Sequence, residues 1–248
     1  MNSRILVLLF LICVVFPSLL SAHPADELCF EDAMDISLCS QLAELDRADG
    51  DTSELPTIEL DRSAFQTFLL YTQFGIEHIL PFGIDHLAFL LALVLAAASL
   101  RSLIVQISVF TLAHSLTLIL GVLGLVKLNS TLVEAIIALS IAFVATENLF
   151  FKYKLGWRSV VIFGFGLLHG LGFAGALGEL GVPTDHYVSA LLGFNLGVEI
   201  AQVLFGLICF LILHKALKPL FFKRFIYLPL NCFIAILGLY WLVERTLL

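Results

Sequence analysis

The sequence predicts an all-helical polytopic membrane protein with six transmembrane helices, preceded by a signal peptide and an acidic exported segment. The chain has 248 residues, of which 60% are hydrophobic and only 13% are charged, and soluble domains rarely have this balance. Beyond residue 62 the apolar runs are about 20 residues long, which is the length that a helix needs to cross the ~30 Å hydrocarbon core.

The N-terminus is typical of a secretory signal. Arg4 precedes an apolar run over residues 5–16, and the letters PSLLSA follow before His23. A basic residue, an apolar core and small residues in this order favour cleavage after Ala22. We therefore expect residues 1–22 to be a signal peptide, and an uncleaved anchor would export the following segment equally well.

Residues 23–62 are predicted to form an acidic arm in the periplasm. Between residues 26 and 62, twelve acidic residues accompany only Arg47 and Arg62. A segment of this composition buries little apolar surface, so we expect it to be largely flexible. Cys29 and Cys39 lie in this arm, and a disulfide between them and two free thiols are both compatible with an oxidising compartment.

The helical membrane domain is predicted over residues 63–248. Its first segment, 63–80, is too polar for a helix that faces lipid, and Pro81 then disfavours a continuous helix. We expect an interfacial or re-entrant helix there, and seven spans if this segment also crosses. The six predicted spans cover residues 84–100, 103–124, 131–151, 159–179, 187–213 and 226–246.

The basic residues indicate how the chain is oriented. If the acidic arm is outside and residues 63–80 do not cross, only Lys127 and Arg245 remain on the outer side, as the positive-inside rule favours. This orientation predicts a multi-pass protein of a bacterial inner membrane. The basic residues that would face the cytoplasm are Arg101, Lys152, Lys154, Arg158, Lys215, Lys218, Lys223 and Arg224.

Ionisable and amide side chains recur at matching depths in different spans. Such groups are costly in a bilayer, so they usually face the interior of a bundle and mark an ion or substrate path. Glu147 and Asn148 are predicted near the inner end. An outer layer would contain His78, Asp85, His86, Glu134, Asp185 and His186, and a layer near the bilayer centre would contain His114, His169, Asn195 and Glu199.

The mixture of imidazoles and carboxylates favours a borderline divalent ion such as nickel, cobalt or zinc, whereas carboxylates alone would favour magnesium or calcium. An acidic neighbour can instead orient its histidine. The candidate metal ligands are His78, Asp85, His86, His114, His169 and Glu199. The candidate supporting residues are Glu77, Glu134, Glu147, Asn148, Asn195 and Gln202.

Two periodic stripes predict how helices pack. Asn195, Glu199 and Gln202 follow i, i+4, i+7 spacing, so they share one helix face that must meet protein or water. Small residues at every fourth position near His169 would let a second helix approach closely. These small residues are Gly166, Gly170, Ala174 and Gly178.

Several other chemistries have no support in the sequence. It contains no phosphate-binding loop, no dinucleotide fingerprint and no His-Glu-x-x-His motif, so we expect neither a nucleotide nor a nucleic acid as partner. Ser115 beside His114 is compatible with an intramembrane hydrolase, but serines in membrane helices usually hydrogen-bond the preceding turn.

Five ordered motifs resemble the HupE/UreJ family, membrane components associated with hydrogenase and urease systems. One departure is Ala201, where the family pattern would have glycine. The motifs are HILPFGIDH, FTLAHSLTL, VEAIIALSIAFVATEN, FGLLHGLGFAGAL and FNLGVEIAQ. The polar positions that the resemblance marks are His78, Asp85, His86, His114, Glu134, Glu147, Asn148, His169, Asn195 and Glu199.

The resemblance implies a permease that moves nickel or cobalt inward, with a urease or hydrogenase maturation system as partner. The sequence leaves two alternatives open. One is an intramembrane zinc hydrolase that uses the same histidines to activate water, and the other is a metal-sensing or assembly partner without transport that would rely on the acidic arm. A transporter needs access to both membrane faces, whereas an enzyme needs only one. We expect a secondary transporter for which the metal is the substrate.

Overall fold

A computed structural model describes most of the membrane domain, and every element in the described part is helical. The expected signal peptide and acidic arm, with Cys29 and Cys39, lie outside the described residues. The described ranges are 63–126, 128–151, 155–179, 184–215 and 219–247.

The described chain folds into eight α-helices with short 3-10 and π-helical turns between some of them. The α-helices are α1 (Ala64–Ile79), α2 (Ile84–Ala96), α3 (Leu100–Val122), α4 (Ser130–Phe150), α5 (Leu155–Glu179), α6 (Tyr187–Phe210), α7 (Pro219–Phe222) and α8 (Leu228–Leu247). The turns are a 3-10 helix at Thr184–His186 and π-helices at Leu211–Lys215 and Lys223–Tyr227.

The helix lengths define a multi-pass membrane protein. Five helical segments of the described chain are long and apolar enough to cross a bilayer. Helices α1 and α2 meet the same criterion only as a pair bent by 70°, which brings the number of candidate spans to six. The five long segments are Leu100–Val122, Ser130–Phe150, Gly156–Ala174, Tyr187–His214 and Leu220–Leu247.

Helix α1 packs lengthwise on α6, as the re-entrant and crossing alternatives predicted for residues 63–80 require and a helix lying flat at the interface does not. Gly193 and Gly197 of α6 lie against the backbone of Phe68 and Thr72, so the two helices run parallel. Some polar side chains of α1 have local partners, since Thr72 donates to the Phe68 carbonyl at 2.7 Å and Gln73 donates to Glu77 at 2.8 Å, whereas Oγ1 of Thr67 is buried without one. The 70° bend after α1 is compatible with a re-entrant helix or a broken span.

Two arginines identify the two ends of the bundle. Arg245 of α8 pairs with Asp85 at the start of α2 at 2.8 Å and donates to the Glu134 carbonyl near the start of α4 at 3.1 Å. Arg158 at the start of α5 pairs with Glu147 near the end of α4 at 3.4 Å. We call these the Arg245 end and the Arg158 end.

The seam between α3 and α5 confirms the close approach predicted from small residues. A Cβ atom on Gly166 would lie 2.6 Å from the Phe110 carbonyl oxygen, and one on Gly170 would collide with the His114 carbonyl. Ala174 lies beside Gly121. Because both residue series increase together, α3 and α5 run parallel with their backbones in contact.

The described basic residues make a topology prediction. Arg101, Arg158, Lys223 and Arg224 lie towards the Arg158 end, which the positive-inside rule places in the cytoplasm. A thiol reagent that cannot cross membranes should label Asp185→Cys in intact cells, and Lys223→Cys only after permeabilisation. Labelling of Lys223→Cys in intact cells would contradict this orientation and indicate the opposite one.

Candidate metal centre

Four histidines from four helices converge inside the bundle. His86 at the start of α2 has its ring centroid 4.7 Å from that of His78 at the end of α1, 5.7 Å from His114 of α3 and 5.1 Å from His169 of α5. The centroids of His78 and His114 are 6.1 Å apart. We call this group the four-histidine cluster.

Aromatic rings enclose the cluster. His78 lies 3.7 Å from Phe173, and His169 lies 5.0 Å from Phe110, measured between ring centroids. His86, His114 and His169 are buried, while His78 is partly buried. The imidazoles are thus held in an apolar interior, where an unpaired polar atom is costly.

Most of the ring nitrogens in the cluster have no hydrogen-bond partner. The Nε2 atoms of all four histidines, and Nδ1 of His114, are buried and unpartnered. Buried polar atoms are nearly always satisfied in native proteins, so this concentration of unpartnered nitrogens makes the cluster the candidate ligand site. Nδ1–H of His169 donates to the Phe165 carbonyl at 2.9 Å, which leaves the lone pair on Nε2 free to bind a metal.

The imidazole rings of the cluster are spaced as in a metal site, but their nitrogens do not point at a common centre. A metal–nitrogen bond of about 2.0–2.1 Å places two imidazole centroids on one tetrahedral ion about 5 Å apart. Centroid separations of 4.7 to 6.1 Å bracket this distance. In the described residues, however, no group of three or more His, Cys, Asp or Glu side chains is arranged to hold an ion as it stands. To bind one ion, the histidine side chains would have to rotate so that their nitrogens point at a common centre.

The single cluster corrects the expectation of two separate histidine layers. His78 and His86 were predicted in an outer layer, yet they contact His114, which lies eight residues, or about 12 Å, before the end of α3. The reason is α1, which carries the chain into the bundle alongside α6 before α2 begins. Asp185 and His186 lie in the 3-10 turn before α6.

The acid neighbours of His78 and His86 have partners other than these histidines in the described chain. Glu77 accepts from Gln73 at 2.8 Å, and Asp85 accepts from Arg245. Consecutive helical side chains point about 100° apart, so an acid and the adjacent histidine rarely face the same way. The carboxylate of Glu134 accepts from Ser130 instead of facing the cluster.

The predicted polar stripe on α6 faces α3, as its periodicity required. Ser115 lies within hydrogen-bond distance of Asn195, Thr111 donates to Gln202 at 2.9 Å, and Ser108 donates to Glu199 at 2.8 Å. Ser108 precedes His114 by six residues, or about 9 Å. The described partner of Glu199 therefore lies on the α3–α6 seam, away from the central site predicted for it.

A second polar network occupies the Arg158 end. Glu147 is buried and pairs with Arg158, which also donates from Nε to Gln106 at 2.9 Å. Asn148 donates to the Ala92 carbonyl and to the side chain of Asn231. Glu147 and Asn148 lie near the end of α4, at the bundle end that the basic residues predict to be the inner one.

Sequence reasoning missed Arg158, Arg245 and Gln106 as parts of these polar networks. The two arginines were counted only as charges that set the topology. Both arginines lie about one turn inside a helix end. A charged side chain at that depth is not fully in water and needs a polar partner, and this could have identified them.

The fold and the site define a class, namely polytopic helical membrane proteins that bury a cluster of histidines between their spans. The chain belongs to the HupE/UreJ family, because a family model described as HupE / UreJ protein matches residues 54–245. No curated protein and no solved structure matches the chain.

Proposed function

We propose that this protein is a permease that moves a divalent transition metal inward across the bacterial inner membrane, with nickel as the first candidate and cobalt as the second. The observation that carries the proposal is the four-histidine cluster, in which all four Nε2 atoms are buried without a partner. The metal is the substrate, and a urease or hydrogenase maturation system is the proposed recipient.

The donor atoms support a transition metal. Imidazole nitrogens bind nickel, cobalt, copper and zinc well, whereas magnesium and calcium prefer oxygen ligands. Neutral rings also bind an ion without placing unpaired negative charge in the bilayer when the ion has left. The candidate ligands are His78, His86, His114 and His169, with Asp85 available if it leaves Arg245.

The distribution of polar groups supports transport. Asp85 and Arg245 lie at one end of the bundle, and Glu147, Asn148 and Arg158 lie at the other. A path across the membrane needs polar groups on both sides of its central site. The zinc hydrolase alternative would use the same histidines and needs a carboxylate free for acid–base work, but Glu77 and Asp85 are engaged with Gln73 and Arg245.

Uptake by the purified protein tests this function. In proteoliposomes we expect time-dependent entry of labelled nickel, slower entry of cobalt and no entry of calcium, relative to vesicles without protein. Metal analysis of the same preparation should show bound nickel after incubation and washing. Tightly retained zinc without uptake of any ion would favour the hydrolase.

A further inference from the structure

The buried ion pair at the Arg158 end is incompletely formed. Glu147 and Arg158 side chains are only 2% and 11% exposed, yet their contact is 3.4 Å, and a charge-assisted bond is normally about 2.7–2.9 Å. Oε1 of Glu147 and one terminal nitrogen of Arg158 are buried without any partner. The carboxylate is therefore only partly satisfied by the arginine.

The arginine is held from a second direction. Its Nε donates to Oε1 of Gln106, and Gln106 is fixed by its own donation to the Ser102 carbonyl at 2.9 Å. A purely structural pair in an apolar interior would satisfy both partners, because the desolvation cost is recovered only with good geometry. Here the Arg158 guanidinium contacts both the carboxylate of Glu147 on α4 and the side-chain amide of Gln106 on α3.

The pair lies at the Arg158 end of the bundle, at a distance from the four-histidine cluster. Gln106 precedes His114 on α3 by eight residues, or about 12 Å, and Arg158 precedes His169 on α5 by eleven residues, or about 16 Å. Beyond the pair, α4 ends at Phe150. An ion that leaves the cluster towards this end has to pass the level of Glu147.

We propose that Glu147 is a second cation site on the path, and that the Arg158 guanidinium competes with the cation for the Glu147 carboxylate. This inference rests on the proposed function. Without an ion, the guanidinium neutralises the buried carboxylate. When a divalent cation arrives from the cluster, it binds Glu147, and Arg158 withdraws towards Gln106 and the helix start. Return of the arginine then expels the ion towards the Arg158 end.

The electrostatic reason is that a buried carboxylate always needs a positive partner. An unpaired charge in the bilayer interior costs several kcal/mol. Exchange between the ion and the guanidinium keeps the carboxylate paired in both states, and the displaced guanidinium extends towards water at the start of α5. Arginine suits this role, because it stays charged and can bind an amide and a carboxylate together.

The test separates nickel binding in detergent from nickel uptake in proteoliposomes. Glu147→Gln should reduce uptake at least about tenfold, the lower limit of the loss caused by removing a residue that supports metal ligands, while binding at the four-histidine cluster stays intact. The double variant Glu147→Gln with Arg158→Gln removes both charges, so it leaves no unpaired ion and should fold. It should bind nickel and fail to transport it.

Two comparisons make the outcome decisive. Glu244→Gln and Arg101→Gln make the same chemical changes away from the pair and should transport as the unmodified protein does. Exchanging the charges, with Glu147→Arg and Arg158→Glu together, should not restore transport, because the carboxylate then lies on the wrong helix.

If the double glutamine variant or the exchanged pair transports normally, the ion pair is only structural and the second site is overturned, while the permease function stands. If the unmodified protein fails to move any transition metal, the proposed function fails, and the second site with it.

Discussion

Replacing His114 by alanine is expected to abolish nickel binding and uptake while leaving the protein folded. His114 is fully buried, and neither of its ring nitrogens has a hydrogen-bond partner. Its removal therefore breaks no hydrogen bond and leaves no polar atom of a partner unsatisfied. His169→Ala should have the same effect on metal, with an added loss of about 1 kcal/mol of stability from the bond to Phe165.

His214→Ala is the matched control. His214 also lies in a helical span, bonds a backbone carbonyl, that of Val94, at 2.9 Å and stacks on Phe210, but it lies outside the cluster. This variant should keep full nickel content and uptake. The measurements are metal analysis of the purified protein, uptake in proteoliposomes and thermal unfolding. Full nickel content in both His114→Ala and His169→Ala would show that these histidines are packing residues.

Gly170→Ala is expected to cause a large loss of both stability and metal binding. The added Cβ would collide with the carbonyl oxygen of His114 and the hydroxyl of Thr117, and it would lie 3.0 Å from the carbonyl carbon of His114. Backbone atoms cannot rotate away, so α3 and α5 must separate. Overpacking of this kind costs about 1–3 kcal/mol, and separation also moves His114 from His169.

Gly164→Ala, six residues earlier on the same helix, controls for the change in residue type. A Cβ there meets nothing within 4 Å, and alanine favours a helix over glycine by up to about 1 kcal/mol. We expect unchanged or slightly raised thermal stability and normal nickel binding. Equal behaviour of the two variants would contradict the described α3–α5 seam.

Local periodicity allowed much of this fold to be predicted. The stripe of Asn195, Glu199 and Gln202 and the small residues around Gly166 and Gly170 face other helices, because spacing along one helix determines which side chains share a face. The apolar runs likewise identified the five long spans, whereas the span predicted at 84–100 is the 13-residue helix α2, which is long enough to cross only together with α1. Helix faces and apolar spans depend on residues within a few turns of one another, so they can be predicted from a single sequence.

The convergence of the histidines and the arginine partners could not be predicted in the same way. The depth of each histidine in the membrane was estimated by counting residues along a straight helix. This estimate fails for His78 and His86, because α1 and α2 form a bent pair. Asp85 and Arg245 are 160 positions apart, and no local pattern connects them. Glu199 had a suitable depth, but rotation of α6 directs it to Ser108.

The glycine seams have a consequence for how the ligands can move. Gly75, Gly193 and Gly197 join α1 to α6, and Gly166 and Gly170 join α3 to α5, in each case backbone against backbone. Such close packing makes each pair behave as a rigid body. One body contains His78 and the other contains His114 and His169, whereas hydroxyl hydrogen bonds, which re-form easily, connect α3 to α6. A small sliding of one body past the other would therefore change how many imidazoles an ion can meet, and so how tightly it is held, without bending any helix.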